Sequence, residues 1–335
     1  MKISVLIPAY NCEATIRATL DSVLAQTCQP DEILVMDDGS TDQTASLLNS
    51  YVPRINVLSQ RNGGVASARN ALCERVQGDL LAFIDADNLW HPHYLETQKS
   101  LFEKYPHAAG FSTGYVNFRG YSNYIWAKSP SDDASHFVTI PSLVFFKKYN
   151  EAPSTCEINA FCVPKRVLKE IGDQPFGPSA RRSEDFYFTM LVALHGDIIH
   201  TPAPLVAYRL VEGSLSCNRV ESFSDAVRAL ELLEDRIKVL NDVRFTKIFR
   251  GAIASKRRVY AKLLLGAGRI ADARKQLRSS LWNSGNPFSI AKSLGLFFVS
   301  YLPHSLQPTW PSSFRDWKSL EETAVFSAQR SKENR

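Results

Sequence analysis

The sequence predicts an α/β protein, an open sheet flanked by helices, with a helical appendage at its C-terminal end. Three observations carry this prediction. Within the first hundred residues, four short runs rich in Ile, Val and Leu alternate with helical stretches. Short runs of this composition are the pattern of parallel strands buried on both faces. Beyond about residue 216 strand signals stop and helical patterning takes over.

The first strand is Lys2 to Ile7, broken at Pro8. Helix Glu13 to Ala25 and strand Glu32 to Met36 follow. Next comes a helix from Gln43 to Tyr51, for which Ser40-Thr41-Asp42 supplies N-capping chemistry. Strand Ile55 to Leu58, helix Val65 to Gln77 and strand Leu80 to Ile84 complete a βαβαβαβ order. From Phe111 to Lys148 the periodicity is poor, aromatic residues are dense, and Gly114, Gly120 and Pro130 interrupt the run. Irregular strands and loops lining a substrate cleft are expected there. Helical patterning returns at Lys165 to Ile171 and Asp185 to Leu194, before an apolar stretch at Val206 to Leu210 and a boundary near Ser216 to Glu221.

Beyond the boundary, Phe223 to Leu240 and Thr246 to Leu281 read as helices. The segment "LLLGAGRIADARKQLRSSL" has the Gly turn and small Ala of a helix hairpin, but it occurs once, so a solenoid is not expected. The stretch "FSIAKSLGLFFVSYL" is apolar with a single lysine. It reads either as a core helix or as a helix lying in the plane of a membrane surface.

A chain of 335 residues accommodates two domains, or one large domain with an appendage. With 44% hydrophobic and 22% charged residues it is neither disordered nor a plain membrane protein. The first apolar run is too short for a signal peptide and lacks a small-residue cleavage pattern. No run reaches the roughly 18 to 20 apolar residues that span a bilayer. A cytoplasmic chain is expected, with peripheral contact at the inner face of the membrane as an option. Cys12, Cys28, Cys73, Cys156, Cys162 and Cys217 form no Cys-x-x-Cys pair and no His cluster, which argues against structural zinc and a disulfide framework. The net charge of +5 is small for the length and no basic arm is visible, so nucleic acid is not an expected partner.

In an open parallel sheet, ligands bind beyond the carboxyl ends of the strands. The four strands are followed by Pro8-Ala9-Tyr10-Asn11, Asp37-Asp38-Gly39-Ser40, Asn62-Gly63-Gly64 and Asp85-Ala86-Asp87-Asn88. The Gly-x-Gly-x-x-Gly of a dinucleotide site is missing after the first. Tyr10 is either a packing residue or a stacking surface for a base, and the Asp38 carboxylate can accept a hydrogen bond from a base N–H. Asp85 and Asp87 alternate along extended chain and so face one way. Like charges this close raise each other's pKa unless a cation neutralises them. Oxygen ligands suit Mg²⁺ or Mn²⁺, which one or two carboxylates hold together with substrate phosphates. An isolated Asp-x-Asp is more often a cap or a solvated turn. Here its place after a buried strand, among three other polar edges, favours a metal and diphosphate site. In "RRSEDFYF", Glu184 and Asp185 open a helix, where they either complement its dipole or include a general base. Spacing does not separate the two acids.

Together, Val5-Leu6-Ile7-Pro8-Ala9-Tyr10-Asn11, Val35-Met36-Asp37-Asp38-Gly39-Ser40-Thr41-Asp42, Asn62-Gly63-Gly64 with Ala68-Arg69-Asn70, and Phe83-Ile84-Asp85-Ala86-Asp87 resemble the family 2 glycosyltransferases. These are inverting enzymes of the GT-A fold that use nucleotide sugars. The resemblance implies an open mixed sheet over residues 1–216, with a nucleotide-sugar-binding half at 1–110 and an acceptor-binding half at 111–216. A helical region at 217–320 and a flexible tail at 321–335 would follow. It also implies that Pro8, Tyr10 and Asp38 contact the base, that Arg69 joins the nucleotide edge, and that Asp85 faces the ribose and Asp87 a Mn²⁺ or Mg²⁺ ion. Asp185 matches the acid that serves as base, and Glu184 then supports it or touches the acceptor.

Two departures from the family pattern stand out. Asn88 replaces a frequent third acid, and in "YRLVEGSLS" Val211 holds the position of a His in Tyr-Arg-x-His-x-Gly-Ser. Arg209 is one substitute for that His. The implied reaction moves a sugar, from a UDP-sugar in the first instance, to a hydroxyl of a sugar or lipid-linked acceptor in polysaccharide or glycoconjugate assembly. The acceptor site is expected around Tyr115 to Trp126 and Cys156 to Phe161, with Tyr124 or Trp126 either stacking on a sugar or lying in the core. Residues 288–302 would touch a membrane. Val211 also suggests the alternative of a non-catalytic nucleotide-sugar-binding or partner subunit. A sugar nucleotidyltransferase would need a Gly-rich basic loop after the first strand, and Pro8-Ala9-Tyr10-Asn11 does not fit one.

Overall fold

The four apolar runs form parallel strands β1 (Ile3–Ala9), β2 (Glu32–Asp37), β3 (Asn56–Ser59) and β4 (Leu80–Phe83), ordered β3-β2-β1-β4. The computed structural model describes residues 1–120, 124, 126, 136–151, 157–177, 183–211, 219–283 and 287–302. Every residue of β1 and β4 is buried, which is why both read as predominantly apolar sequence, with Ser4 the one polar residue. The connecting helices α1 (Ile16–Leu24), α2 (Thr44–Asn49) and α3 (Val65–Cys73) are each shorter than their patterns suggest. Of the proposed capping residues at α2, Asp42 does the work: its Oδ1 accepts the Thr44 N–H at 2.9 Å.

The second half of the sheet reverses direction. Its elements are β5 (Leu89–Trp90), α4 (Tyr94–Lys104), β6 (Gly110–Phe118), β7 (Val138–Ile140), α5 (Ser142–Glu151), β8 (Phe161–Pro164), α6 (Lys165–Ile171), α7 (Glu184–Leu194) and β9 (Ile198–Arg209). Strand β8 runs antiparallel to both β4 and β6, β6 pairs in parallel with β9, and β5 and β7 flank β9 antiparallel. The sheet is mixed, and β8 is the seam.

The stretch expected to be irregular contains a nine-residue strand, β6, and a ten-residue helix, α5. Two physical features hid them. Strand β6 bulges at Gly114, where any Cβ would collide with the Pro202 carbonyl of β9. Helix α5 buries Phe145, Phe146, Tyr149 and Asn150, a helical stripe made of residues with weak helix propensity. Tyr149 stacks on Phe186 of α7 with ring centroids 5.5 Å apart, so α5 fixes the helix that opens with Glu184 and Asp185.

At the end of β2, Gly39 has φ +75, and a Cβ there would lie 3.0 Å from the Asn62 nitrogen. Gly39→Ala should therefore lose about 1–2 kcal/mol of stability in urea denaturation. An unchanged midpoint would mean that the turn relaxes freely.

The chain divides into two compact units, Met1–Glu212 and Gly213–Arg335. The described part of the second comprises α8 (Arg219–Leu240), α9 (Val243–Gly266), α10 (Ile270–Asn283) and α11 (Pro287–Val299). Gly268, at φ +73, breaks the pattern that runs from Thr246 to Leu281 into α9 and α10. Helix α11 is a core helix on one face only: Leu296 and Phe297 pack on the apolar cluster of this unit, while Phe288 is 67% exposed and Phe298 68%. No described helix is long and apolar enough to cross a membrane.

Candidate active site

The carboxyl ends of β1 to β4 gather the residues singled out by their spacing. Pro8 is buried within β1 opposite Met36, whereas Tyr10, one residue past the strand, is 49% exposed and offers its ring to solvent. Asp38 is buried. Its Oδ1 accepts the Gly63 N–H at 2.9 Å and the Gln60 amide at 2.7 Å, and its Oδ2 accepts the Gly64 N–H at 2.8 Å. It thus pins the glycine loop that leads into α3, and an ionised carboxylate still has room for a further donor.

Arg69 departs from its expected place on the nucleotide edge. Its side chain is buried and forks between two acids, with Nη2 2.5 Å from Asp85 Oδ1 and Nη1 2.5 Å from Glu184 Oε1. The guanidinium also lies 5.4 Å from the Phe176 ring centroid. Burial opposes its charge, but Asp85, Glu184 and Asp185 outweigh burial and hold Arg69 fully protonated. Arg69 therefore joins the Asp-x-Asp turn to the start of α7. Next to it, Asn70 accepts the Phe176 N–H at 2.9 Å and donates to the Gly177 carbonyl at 3.1 Å, holding the segment that carries both.

Asn159 is a residue that sequence reasoning missed. It is fully buried, its Oδ1 accepts the Asp85 N–H at 2.6 Å, and its Nδ2 donates to Asp85 Oδ2 at 3.1 Å. Its carbonyl accepts the Trp90 indole N–H at 2.8 Å. The antiparallel seam explains the meeting, because the second residue after β4 and the second before β8 reach the same edge. Glu157, like Asn159, lies in the Cys156 to Phe161 stretch expected near the acceptor but was not singled out, and Tyr208 was missed. Burial pushes the Glu157 carboxyl well above the usual range, with Asp185 and Asp85 adding to it. Burial, then Glu157, Asp85, Asp87 and Asp185, likewise raise the Tyr208 phenol. The one available signal was Tyr208's place at the head of "YRLVEG".

Asn88 and Arg209 are framework. Asn88 is buried, accepts the Arg209 N–H through Oδ1 at 2.8 Å, and accepts the Thr19 hydroxyl through its carbonyl at 2.9 Å. Arg209 Nε donates to the Asp87 carbonyl at 2.7 Å, Nη1 donates to the Gly120 carbonyl, and the guanidinium stacks 4.4 Å from the Phe118 centroid. Arg209 thereby braces the acidic turn from behind.

Electrostatically the acids differ. Burial pushes the Asp87 carboxyl up to about 7, with Asp85 adding to the rise and Arg209 opposing it. Burial raises Glu184 and Asp185 above the usual carboxylate range despite Arg69. Among the described residues no three His, Cys, Asp or Glu side chains form a metal cage. Asp87 nevertheless fits a divalent cation that takes its other oxygens from a ligand, because its charge is under-compensated by the protein.

The comparisons decide the family. A model described as "Glycosyl transferase family 2" matches residues 4–165. TuaG of Bacillus subtilis, a glycosyltransferase named for teichuronic acid biosynthesis, is 31% identical over 222 residues, covering 65% of this chain and 82% of TuaG. The chain belongs to glycosyl transferase family 2. WfgD of Escherichia coli, named as a UDP-Glc:alpha-D-GlcNAc-diphosphoundecaprenol beta-1,3-glucosyltransferase, is 29% identical over 240 residues, 70% of this glycosyltransferase and 87% of WfgD. Against GlyA of Streptococcus pneumoniae the identity is 28% over 251 residues, and the chain spans only 35% of that longer protein. Residues 1–349 of Staphylococcus aureus TarS share the fold at TM-score 0.66 and 17% identity, over 90% of each chain. So does the mannosyltransferase PcManGT of Pyrobaculum calidifontis, solved with GDP-Man and Mn²⁺, at TM-score 0.56 and 17% identity over 98% of this glycosyltransferase and 86% of PcManGT. The GT-A fold expected from the four motifs is the fold observed, with helices after it.

Proposed function

We propose that this glycosyltransferase moves a sugar, with inversion, from a UDP-sugar to a hydroxyl of a lipid-linked saccharide during polysaccharide assembly. The observation that carries the catalytic part is the fork of Arg69. It engages Asp85 and Glu184, whereas Asp185 keeps part of its surface open at the first turn of α7, where its Oδ1 accepts the Phe186 N–H at 2.7 Å. Asp185 is then the base that takes the acceptor proton, and Glu184 its support. The acceptor oxygen attacks the anomeric carbon as the bond to the nucleoside diphosphate breaks, and the diphosphate leaves with that electron pair. A raised carboxyl pKa suits a base working near neutrality.

Tyr10 and Asp38 hold the base, with Pro8 shaping the floor beneath them, and Asp85, oriented by Arg69 and Asn159, faces the ribose. Asp87 would hold a Mn²⁺ or Mg²⁺ ion, which when bound offsets charge on the diphosphate. Arg209 positions Asp87. The UDP-sugar and the lipid-linked acceptor are supported by the name of WfgD and by a TarS structure in complex with UDP-GlcNAc. Such an acceptor puts the reaction at a membrane face, and residues 288–302 are read as the contact. The non-catalytic alternative gains no support, since both acids of the second pair are present and differently held.

Calorimetric titration with UDP, GDP and dTDP, with and without Mn²⁺ at pH 6 and pH 8, tests the donor site. UDP is expected to bind at micromolar concentrations. Because Asp87 must shed a proton that it holds up to about pH 7, the enhancement by Mn²⁺ should be about tenfold larger at pH 8. The stability sign agrees: a raised carboxyl contributes stability fully below its ordinary pKa and loses it as pH rises through about 7, so Mn²⁺ should raise Tm more at pH 8. A folded protein that binds none of the three nucleotides would overturn the reading.

A further inference from the structure

Helix α11 carries apolar residues on its outward face as well as on its inward one. In a soluble bundle an amphipathic helix turns its apolar face to the core. In α11 the serines face inward. Ser293, and Ser300 just past the helix, are buried, and Ser289 and Ser293 accept hydrogen bonds from Arg258 Nη1 at 2.7 and 3.3 Å. The Ser280 hydroxyl of α10 donates to the Ser293 hydroxyl at 2.8 Å. Arg274 of α10 caps the helix end, donating to the Ser300 carbonyl at 2.9 Å and its hydroxyl at 3.2 Å. Leu296 and Phe297 pack against the apolar core of this unit, whereas Phe288, Leu294 and Phe298 lie on the outward face and Tyr301 and Leu302 extend it. Trp282, at the end of α10, is 91% exposed. Polar bonds therefore anchor the helix from within and leave aromatic rings outside.

Cations lie against two of those rings. Lys292 Nζ lies 4.3 Å from the Phe288 centroid, and the Arg274 guanidinium lies 3.6 Å from that of Tyr301. Residues 243–302 contain twelve Lys and Arg against a single acid, Asp272, whereas residues 1–212 carry a net charge of −5. The basic character of the chain is concentrated in the segment that exposes its aromatic residues.

We propose that α11, with Trp282 at the end of α10, docks flat on an anionic lipid bilayer, its rings among the acyl chains and the cations of α9, α10 and α11 at the lipid phosphates. Aromatic rings interleaved with Lys and Arg suit that boundary, where apolar chains and negative headgroups meet. A second copy of the chain is a poorer occupant, because it would bring the same cations together. The inference deepens the proposed function by giving its membrane contact a chemistry, and rests on it only for its purpose, access to a lipid-linked acceptor.

The test is sedimentation of the full chain with vesicles of phosphatidylcholine alone or with about one-third phosphatidylglycerol, at low and high salt, without donor or acceptor. Selective binding to the phosphatidylglycerol vesicles, lost at high salt, is expected. Phe288→Ser with Phe298→Ser should weaken it about tenfold or more with Tm unchanged, since both rings are already exposed. Lys275→Glu with Lys292→Glu should weaken it by at least about tenfold. Equal binding to both vesicles, binding to neither, or a dimer that the Phe variants dissociate would each overturn the proposal. UDP titration of the same variants separates the two readings: intact nucleotide binding with no vesicle binding sinks the docking alone, and the reverse sinks the donor site alone.

Discussion

Asp185→Asn should lower kcat by about 10²- to 10⁴-fold while leaving UDP affinity essentially unchanged. The amide preserves shape but cannot take a proton, and the residue lies on α7, away from the Tyr10 and Asp38 part of the edge. Because burial raises the Asp185 pKa, the acidic limb of the kcat/KM profile should lie above the ordinary carboxylate range and vanish in the variant. Glu184→Gln is the control, since it takes the charge from one arm of the Arg69 fork without removing the proposed base. It should cost stability and a smaller part of kcat. Near-normal turnover in Asp185→Asn together with a dead Glu184→Gln would exchange the two roles.

Arg69→Met should destabilise the fold by about 3–5 kcal/mol, read as a lowered urea midpoint. The variant would leave Glu184 buried without its cation, and this accounts for most of the loss. Asp85 is partly solvated and accounts for less. Arg69→Lys keeps the charge but cannot bridge two acids at 2.5 Å each, so it should fall between the wild type and Arg69→Met. Adding Glu184→Gln to Arg69→Met should recover part of the loss by removing the stranded charge. A wild-type midpoint for Arg69→Met would show that the bridge does not hold the two motifs together.

What was legible in the sequence, and what was not, follows from how far apart in the chain the partners lie. Strands β1 and β4 are buried on both faces, so their apolar runs announced them, and the polar residues after each strand marked the edge without any long-range information. The bulged β6 and the aromatic α5 went unread because close backbone approach at Gly114 and packing on α7 override local propensity. Arg69 was placed on the edge by its motif, but a motif does not say which way a side chain turns. In α3 it shares the buried side with Ala66, Ala68, Asn70, Leu72 and Cys73. Asn159 carried no spacing signal toward Asp85, since only the antiparallel register at β8 joins them. For α11 the composition suggested an apolar helix. The outward turn of its rings became apparent only once Arg258 and Arg274 were seen to hold the serines.

The Arg69 bridge also bears on how the protein is made. Its two ends on α3 and α7 are separated by 115 residues of chain. At about 5–20 residues per second, a ribosome needs on the order of ten seconds to deliver Glu184 after Arg69 has been synthesised. During that interval β1 to β4 and their helices can assemble, with the guanidinium paired to Asp85 alone. Arrival of α7 brings Glu184 to the second arm of the guanidinium and Asp185 with it, so under the proposed roles a nascent chain acquires its nucleotide edge before its base.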